Sequence, residues 1–316
     1  MTWRTQNSPL AGSSTILYRI TCVPPSTCYV IGRPNIVMVT HNGGAAWTVH
    51  RIPLPGSSGQ LTNSACVSSQ VFHLRGTPAL CRLGLLDLSC INASTCYVVA
   101  TLKVQAQMGD LGSAVFLTTN GGASWIKQQV PASAPCQGDC TPSNARVPYP
   151  LEWIWCGPGT ICRAGGSVFI GSHEGYAFLT IQVSKPGAPW TPVRNNNTPS
   201  PDSAVCTTVA RCFGVWTTSP FDLPGNGIFV STNGGGIWER INSGSPTRRN
   251  AIACPSAQTC YSVGNQGTIT STMNGGPFVA QQSGTSHDLY DVTCTGVHTC
   301  FAVGNKGTIV GPAHGK

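Results

Sequence analysis

The sequence predicts an all-β chain built from six copies of one four-stranded unit, and three observations predict it. A cysteine, five residues and a second cysteine recur as Cys22/Cys28, Cys90/Cys96, Cys156/Cys162, Cys206/Cys212, Cys254/Cys260 and Cys294/Cys300. An apolar run follows most second cysteines, often opening on an aromatic and closing on Gly, as in Cys28-Tyr29-Val30-Ile31-Gly32 and Cys300-Phe301-Ala302-Val303-Gly304. A Gly-rich turn ending in Trp comes later in the unit, clearest in Thr40-His41-Asn42-Gly43-Gly44-Ala45-Ala46-Trp47, Thr118 to Trp125 and Ser231 to Trp238. An internal repeat on this scale sets the architecture before any local reading does.

Each unit reads as four short strands. Strand a ends at the first cysteine, and a tight turn such as Val23-Pro24-Pro25-Ser26-Thr27 leads to strand b at the second. Strand c follows, as in Ile36-Val37-Met38-Val39. The Asn-Gly-Gly turn then leads to strand d near Trp, because Asn and Gly tolerate the positive φ of a tight hairpin. A weaker turn, Thr272-Met273-Asn274-Gly275-Gly276, puts Val279 at the Trp position; a stretched one ends at Pro189-Trp190. No helical periodicity runs beyond about three turns. Four-stranded antiparallel units at this repeat length predict a β-propeller.

The blade count follows by arithmetic. Six cysteine hairpins need six d strands; the interior supplies five, at Trp47, Trp125, Trp190, Trp238 and Val279. Trp3-Arg4-Thr5 resembles the missing one and should pair antiparallel with Thr308-Ile309-Val310, closing the sixth blade. A seventh blade drawn from residues 51–88 is the alternative. The expectation is one propeller domain over residues 1–316, with long insertions at about 51–85 and 128–150.

The pattern Ser/Thr-x-Asn-Gly-Gly-x-x-Trp resembles the Asp-box, or BNR, repeat, with Asn in place of Asp. With the Gly that closes strand b, it looks closest to propellers of the photosystem II stability/assembly factor type and to sialidase-type propellers. That resemblance implies the propeller fold and a structural role for the turn, so no chemistry is assigned to Asn42, Asn120 or Asn233. Asp-box propellers include sialidases, xyloglucanases and non-enzymatic receptors, so the repeat specifies fold rather than function.

Cysteine count and spacing point to disulfides. The chain has 16 Cys, and five intervening residues across a hairpin place two thiols on adjacent strands, whereas zinc knuckles use shorter spacing. No metal and no cofactor is expected. Cys66, Cys81, Cys136 and Cys140 stand outside the repeat; Cys66–Cys81 with Cys136–Cys140 is the favoured pairing, and cross-linking between the two insertions is the rival. Oxidised cysteines imply a secreted or extracytoplasmic protein. Met1-Thr2-Trp3 enters a strand almost at once, so the expectation is a mature chain whose leader has been removed.

Charge excludes some functions. Only 9% of residues are charged and the net charge is +8, but the 13 Arg and five Lys are scattered, with Arg248-Arg249 the only adjacent pair. A nucleic-acid partner would want a basic stripe, so none is expected. No apolar run is long enough to span a membrane. A weakly charged surface leaves self-assembly on a cell surface or in a filament open.

Function is expected on the face opposite the cysteine hairpins and Gly-Gly turns, since every long insertion falls there. Strand a approaches the central channel from that face. The residues three before each first cysteine are Arg19, Asp87, Trp153, Ser203, Ala251 and Asp291, with Glu152 and Tyr290 adjacent. Trp216, Trp153 and Trp155 lie outside the repeat, and Trp faces suit sugar rings and protein partners alike. The candidate ligand-binding residues are therefore Arg19, Asp87, Glu152, Trp153, Trp216, Tyr290 and Asp291. Trp155 reads as blade packing.

Catalysis has a thinner basis. A glycoside hydrolase would need paired carboxylates, for which Asp87, Glu152 and Asp291 are the candidates. A sialidase-like site would also need arginines, from Arg19, Arg75, Arg82 and Arg163. The expected function is binding of a protein or glycan ligand, with a glycan-cleaving enzyme as alternative and a self-assembling protein as the second.

Overall fold

The computed structural model describes residues 2–33, 35–52, 84–101, 113–131, 134–135, 146–147, 151, 153–156, 162–170, 175–193, 203–208, 210–216, 227–232, 238–273 and 276–312. They form six four-stranded antiparallel sheets and one two-stranded ribbon. Strand β1 (Trp3–Thr5) precedes blade 1, which comprises β2 (Leu17–Val23), β3 (Thr27–Gly32), β4 (Ile36–Thr40) and β5 (Thr48–Arg51). Blade 2 comprises β6 (Gly84–Cys90), β7 (Cys96–Thr101), β8 (Ser113–Thr118) and β9 (Ile126–Gln128), and the ribbon is β10 (Ala134–Pro135) with β11 (Arg146–Val147). Blade 3 comprises β12 (Trp153–Cys156), β13 (Cys162–Ile170), β14 (Gly175–Val183) and β15 (Thr191–Val193). Blade 4 comprises β16 (Ser203–Cys206), β17 (Cys212–Trp216), β18 (Gly227–Ser231) and β19 (Glu239–Ile241). Blade 5 comprises β20 (Arg249–Ser256), β21 (Thr259–Gly264), β22 (Ile269–Thr272) and β23 (Val279–Gln281). Blade 6 comprises β24 (Leu289–Gly296), β25 (Thr299–Gly304) and β26 (Ile309–Pro312), completed by β1. The protein is a six-bladed β-propeller.

Closure is as the arithmetic demands, with a shifted register. Trp3, Arg4 and Thr5 face Pro312, Gly311 and Val310, two residues nearer the C-terminus than the sequence suggests. Gln6 N then donates to Ile309 O at 2.8 Å, which continues the ladder. Pairing β26 in this way removes an open sheet edge.

The six cysteine pairs close within their own hairpins as disulfides, with Cα atoms 3.9 to 4.1 Å apart. Five of the pairs are direct cross-strand partners: Cys22 opposite Cys28, Cys90 opposite Cys96, Cys156 opposite Cys162, Cys206 opposite Cys212 and Cys294 opposite Cys300. Cys254 and Cys260 stand at the same register, since Ala253 faces Tyr261, and their Cα atoms are 4.0 Å apart. In blades 5 and 6 the register shifts just beyond the cysteine pair, where Ser256 faces Thr259 and Gly296 faces Thr299.

The second cysteine of each pair is a core residue. Cys28, Cys96, Cys162, Cys212, Cys260 and Cys300 are at most 1% exposed, and Cys260 packs with Phe213, Ile252 and Phe278. These six sulfurs are framework and present no surface to a ligand. Cys66, Cys81, Cys136 and Cys140 lie outside the described residues.

The Asn-Gly-Gly turn is built the same way twice. Asn42 Oδ1 accepts from the Thr40 hydroxyl at 2.8 Å and from Ala46 N at 2.9 Å, while Thr40 Oγ1 accepts from Gly44 N at 3.0 Å. Asn120, Thr118, Ser124 and Gly122 repeat these bonds. Gly43 N donates to Ser26 O and Gly121 N to Ser94 O, which ties the turn to the cysteine hairpin on the same face.

The second glycine admits a neighbouring blade. A Cβ on Gly122 would lie 2.9 Å from Val39 Cγ2 and 3.1 Å from Tyr29 Cε1. Tyr29 is the aromatic after a second cysteine, and that position reaches across to the next blade elsewhere too. Tyr97 meets Trp190 edge-on at 5.5 Å, Tyr261 meets Trp3 at 5.7 Å and Phe213 meets Phe278 at 6.4 Å.

Phe278 therefore holds the Trp position of blade 5, a correction to the assignment of Val279. Phe278 is 5% exposed and immediately precedes the outer strand, as Trp47 and Trp190 do, whereas Val279 is 56% exposed. The turn is one residue shorter in this blade. The indole N–H groups of Trp3, Trp47, Trp125 and Trp190 find no acceptor among the described residues, so a phenyl ring can serve in their place.

Candidate functional site

The innermost strands β2, β6, β12, β16, β20 and β24 bring the residues three before each first cysteine toward the axis. In blades 1, 2, 5 and 6 a bulge falls just ahead of that position, at Leu17/Arg19, Leu85/Asp87, Arg249/Ala251 and Leu289/Asp291. A bulge inserts one unpaired residue and re-aims the side chains around it.

The structure brings Arg19, Asp87 and Asp291 together. Arg19 Nε lies 3.2 Å from Asp87 Oδ1, and the two side chains are 15% and 11% exposed. Asp87 Oδ2 accepts from Ile154 N of blade 3 at 2.9 Å. Asp291 Oδ2 accepts from Ile20 N of blade 1 at 2.9 Å. Ser203 Oγ accepts from Ile252 N of blade 5 at 3.3 Å. Blades 2, 4 and 6 thus each use the same repeat position to hold the backbone of the blade that follows, two residues before its first cysteine. Buried backbone donors need such partners.

Burial pushes Asp291 up to about 6, against the opposing pull of Arg19 and of the Ile20 N–H. Burial alone would lower Arg19, but Asp87 and Asp291 outweigh it and hold the guanidinium above its usual range. Tyr18 beside them is buried, which raises its phenol; its hydroxyl donates to Leu85 O, and Arg33 sits 5.7 Å from its ring centroid.

The other expected residues are more dispersed. Tyr290 is 4% exposed and belongs to the apolar cluster with Tyr18, Ile31 and Leu85. Trp153 is half-buried on β12, opposite Gly165. Trp216 ends β17 opposite Gly227, at the loop-face end of its strand. Glu152, Arg75 and Arg82 lie outside the described residues, and Arg163 is exposed on β13 next to Cys162. Among the described residues, no three His, Cys, Asp or Glu side chains are grouped to hold a metal ion.

Sequence reasoning missed Arg249. Leu17, Leu85, Leu151 and Leu289 occupy the position five before the first cysteine in four blades, each no more than 1% exposed. Blade 5 puts Arg249 there, with no exposed surface and, among the described residues, only neutral partners. Aligning the repeats on their cysteines shows the anomaly directly.

On the loop face, the Asn265–Gly267 and Asn305–Gly307 turns bind the chain entering strand a, with Asn265 N donating to Arg248 O and Asn305 N to Asp288 O. Gln266 N donates to Asp288 Oδ1 at 2.8 Å, so Asp288 also spans blades 5 and 6.

No protein-family model matches the chain. No curated protein matches it in sequence. Solved structures do match in shape. YCF48 bound to a D1 peptide gives a TM-score of 0.57 at 13% identity, covering 100% of this chain and 98% of that one. YCF48 from Cyanidioschyzon merolae gives 0.54 at 10% identity, covering 98% of each chain. The α-L-arabinanase of Penicillium chrysogenum, complexed with arabinobiose, gives 0.52 at 14% identity, covering 98% of this chain and 97% of that one. At these identities the likeness shows the propeller fold.

Proposed function

We propose that the protein is a secreted, disulfide-stabilised propeller that binds a protein or glycan ligand through its loop-rich face. One observation carries the preference for binding over hydrolysis. Asp87 and Asp291, the described members of the candidate catalytic set, each hold the backbone of the next blade, and Asp87 is also paired with Arg19. Carboxylates committed in this way act as clasps. Ligand contact then falls to other side chains, with Trp153, at the same repeat position in blade 3, and Trp216, at the loop-face end of β17, as the aromatic candidates. The disulfides support an oxidising compartment, and no helix among the described residues is long and apolar enough to cross a membrane. The fold takes both ligand classes, a peptide in YCF48 and a disaccharide in the arabinanase.

A glycan-cleaving activity is the second reading. Asp291 is raised to about 6, toward the range of a general acid, and Asp87 is a second carboxylate brought to the same Arg19, and a pair of carboxyl groups is what glycoside hydrolysis uses. One experiment tests both readings: a screen of plant, microbial and host glycans and of peptides, scored for retention and for reducing-end release. Retention without release supports binding. Release that disappears in Asp291→Asn establishes the enzyme, and retention of nothing overturns both.

A further inference from the structure

The net charge is not shared evenly around the ring. Residues 1–83 and 242–316, which precede blade 2 and follow blade 4, carry ten basic and two acidic residues. Residues 84–241, which run from β6 to β19, carry eight of each. The whole excess of +8 therefore belongs to the two stretches that build blades 5, 6 and 1. These blades are neighbours, with β24 packed on both β20 and β2. Both acids of this half are engaged within it: Asp291 accepts from Ile20 N and Asp288 from Gln266 N.

Two loop-face turns of the same half hold strained backbone. Gln266 (φ 56°, ψ 36°) and Lys306 (φ 53°, ψ 36°) lie in the left-handed region, and among the described residues they alone of the non-glycine residues have positive φ. A side chain in that region costs free energy that Gly would not. The fold gets no return for it, because backbone groups hold the turns. Asn265 N donates to Arg248 O, Asn305 N to Asp288 O and Gly12 N to Lys306 O, while Gln266 contributes only its N–H. Gly at 266 or 306 would keep every one of these bonds. The residue after each is Gly for a steric reason: a Cβ on Gly267 would lie 1.9 Å from Thr285 O, and one on Gly307 2.0 Å from Leu10 O. The turns are thus clamped against the chain entering the next blade, with Gln266 and Lys306 exposed at the tips of adjacent blades.

The chemistry of this surface selects its occupant. The described aromatic rings of blades 5, 6 and 1 are all buried, Tyr18 and Tyr290 included, so a sugar ring finds no stacking platform among them. The tips offer an amide and an ammonium, with the half-buried Arg248 beside the Gln266 turn. An amide can bond a peptide backbone, and the cations take carboxylates.

We propose that an acidic peptide segment of a protein partner docks on the loop face of blades 5, 6 and 1, held by the Gln266 and Lys306 side chains. The inference rests on the reading of the loop-rich face as the binding surface. It names the class of ligand and a part of that face on other blades than Trp153 and Trp216.

The test uses synthetic peptides that differ only in Asp and Glu content, beside uronic-acid oligosaccharides. They are titrated against wild type, Lys306→Gln, the double variant Gln266→Gly/Lys306→Gly, and Trp153→Ala. Wild type should bind the acidic peptides most tightly and lose affinity as salt rises. Lys306→Gln should weaken binding about fivefold and the double variant about tenfold or more, while the urea midpoint of the double variant stays level or rises. A fall in that midpoint would show that the side chains serve the fold, and it overturns the proposal. Acidic-peptide binding that survives in the double variant overturns it too, as does a wild-type preference for uronic acids. If Trp153→Ala loses a ligand that the double variant keeps, loop-face binding stands and this inference falls. If wild type retains nothing, both fall.

Discussion

Replacing Arg249 with Leu should stabilise the protein, although it removes three hydrogen bonds. The guanidinium is fully buried, and burial lowers it from 12.5 to about 10. Arginine is protonated at pH 7 in both folded and unfolded chains, so the whole shift acts as a folding penalty. At 1.36 kcal/mol per unit it comes to about 3 kcal/mol. Two of the three acceptors keep other donors when Arg249 goes. Ser245 O still receives the Ser243 hydroxyl at 2.9 Å, and Thr247 Oγ1 still meets Ser245 and Thr268 at 3.0 and 2.7 Å. Only Ser243 O is left without its donor, at about 1–2 kcal/mol. Leu fits the position, since four other blades carry it there. The net expectation is a gain of about 1–2 kcal/mol, in keeping with apolar replacement of buried charge. Urea unfolding checks it, with the midpoint rising at constant slope. A loss of more than about 1 kcal/mol would refute the reasoning, because it would mean a negative group compensates the guanidinium.

Three further outcomes are expected. Gly122→Ala should cost about 2–3 kcal/mol, since its Cβ strikes Val39 and Tyr29 across a seam, whereas Gly43→Ala, with nothing within 4 Å, should cost only about 1 kcal/mol for its positive φ; thermal melts of the two variants separate these terms. Asp291 is raised to about 6, so its favourable contribution is fully present below the unfolded value of 3.8 and is lost as pH rises through 6; Asp291→Asn should flatten stability between pH 4 and 7 and add up to about 3 kcal/mol at pH 7, read from urea midpoints across that range. Deleting residues 1–6 should expose the β26 edge and remove Trp3 from Tyr261, lowering the melting temperature and promoting concentration-dependent association in light scattering.

Local chemistry was legible in the sequence wherever it repeats. The Thr40/Asn42 and Thr118/Asn120 turns, the cysteine hairpins and the closing strand at Trp3 all follow from spacing, because each is fixed within a few residues or by counting. The register shift just beyond the cysteine pairs of blades 5 and 6 was not, because the Cys254/Cys260 and Cys294/Cys300 spacing is the same as in the other four blades. Phe278 was misread because alignment on Gly275-Gly276 assumes a constant turn length, and only burial shows that the ring had moved one place. Asp87 and Asp291 were picked out by repeat position, but their role was not readable. Whether a carboxylate faces solvent or a neighbouring backbone N–H depends on contacts between residues 67 and 271 positions apart.

Ligand affinity in three proteins at matched folded fraction tests the central claim most directly. These are wild type, Asp87→Asn and Trp153→Ala, titrated with a glycan or peptide retained in the screen. Asn at position 87 can still accept from Ile154 N, so the account predicts affinity within about threefold of wild type, a change of under 1 kcal/mol. Trp153→Ala should weaken binding by about tenfold or more. Binding lost in Asp87→Asn, or kept in Trp153→Ala, would contradict the assignment of the channel carboxylates to the ring and of recognition to the loop-rich face.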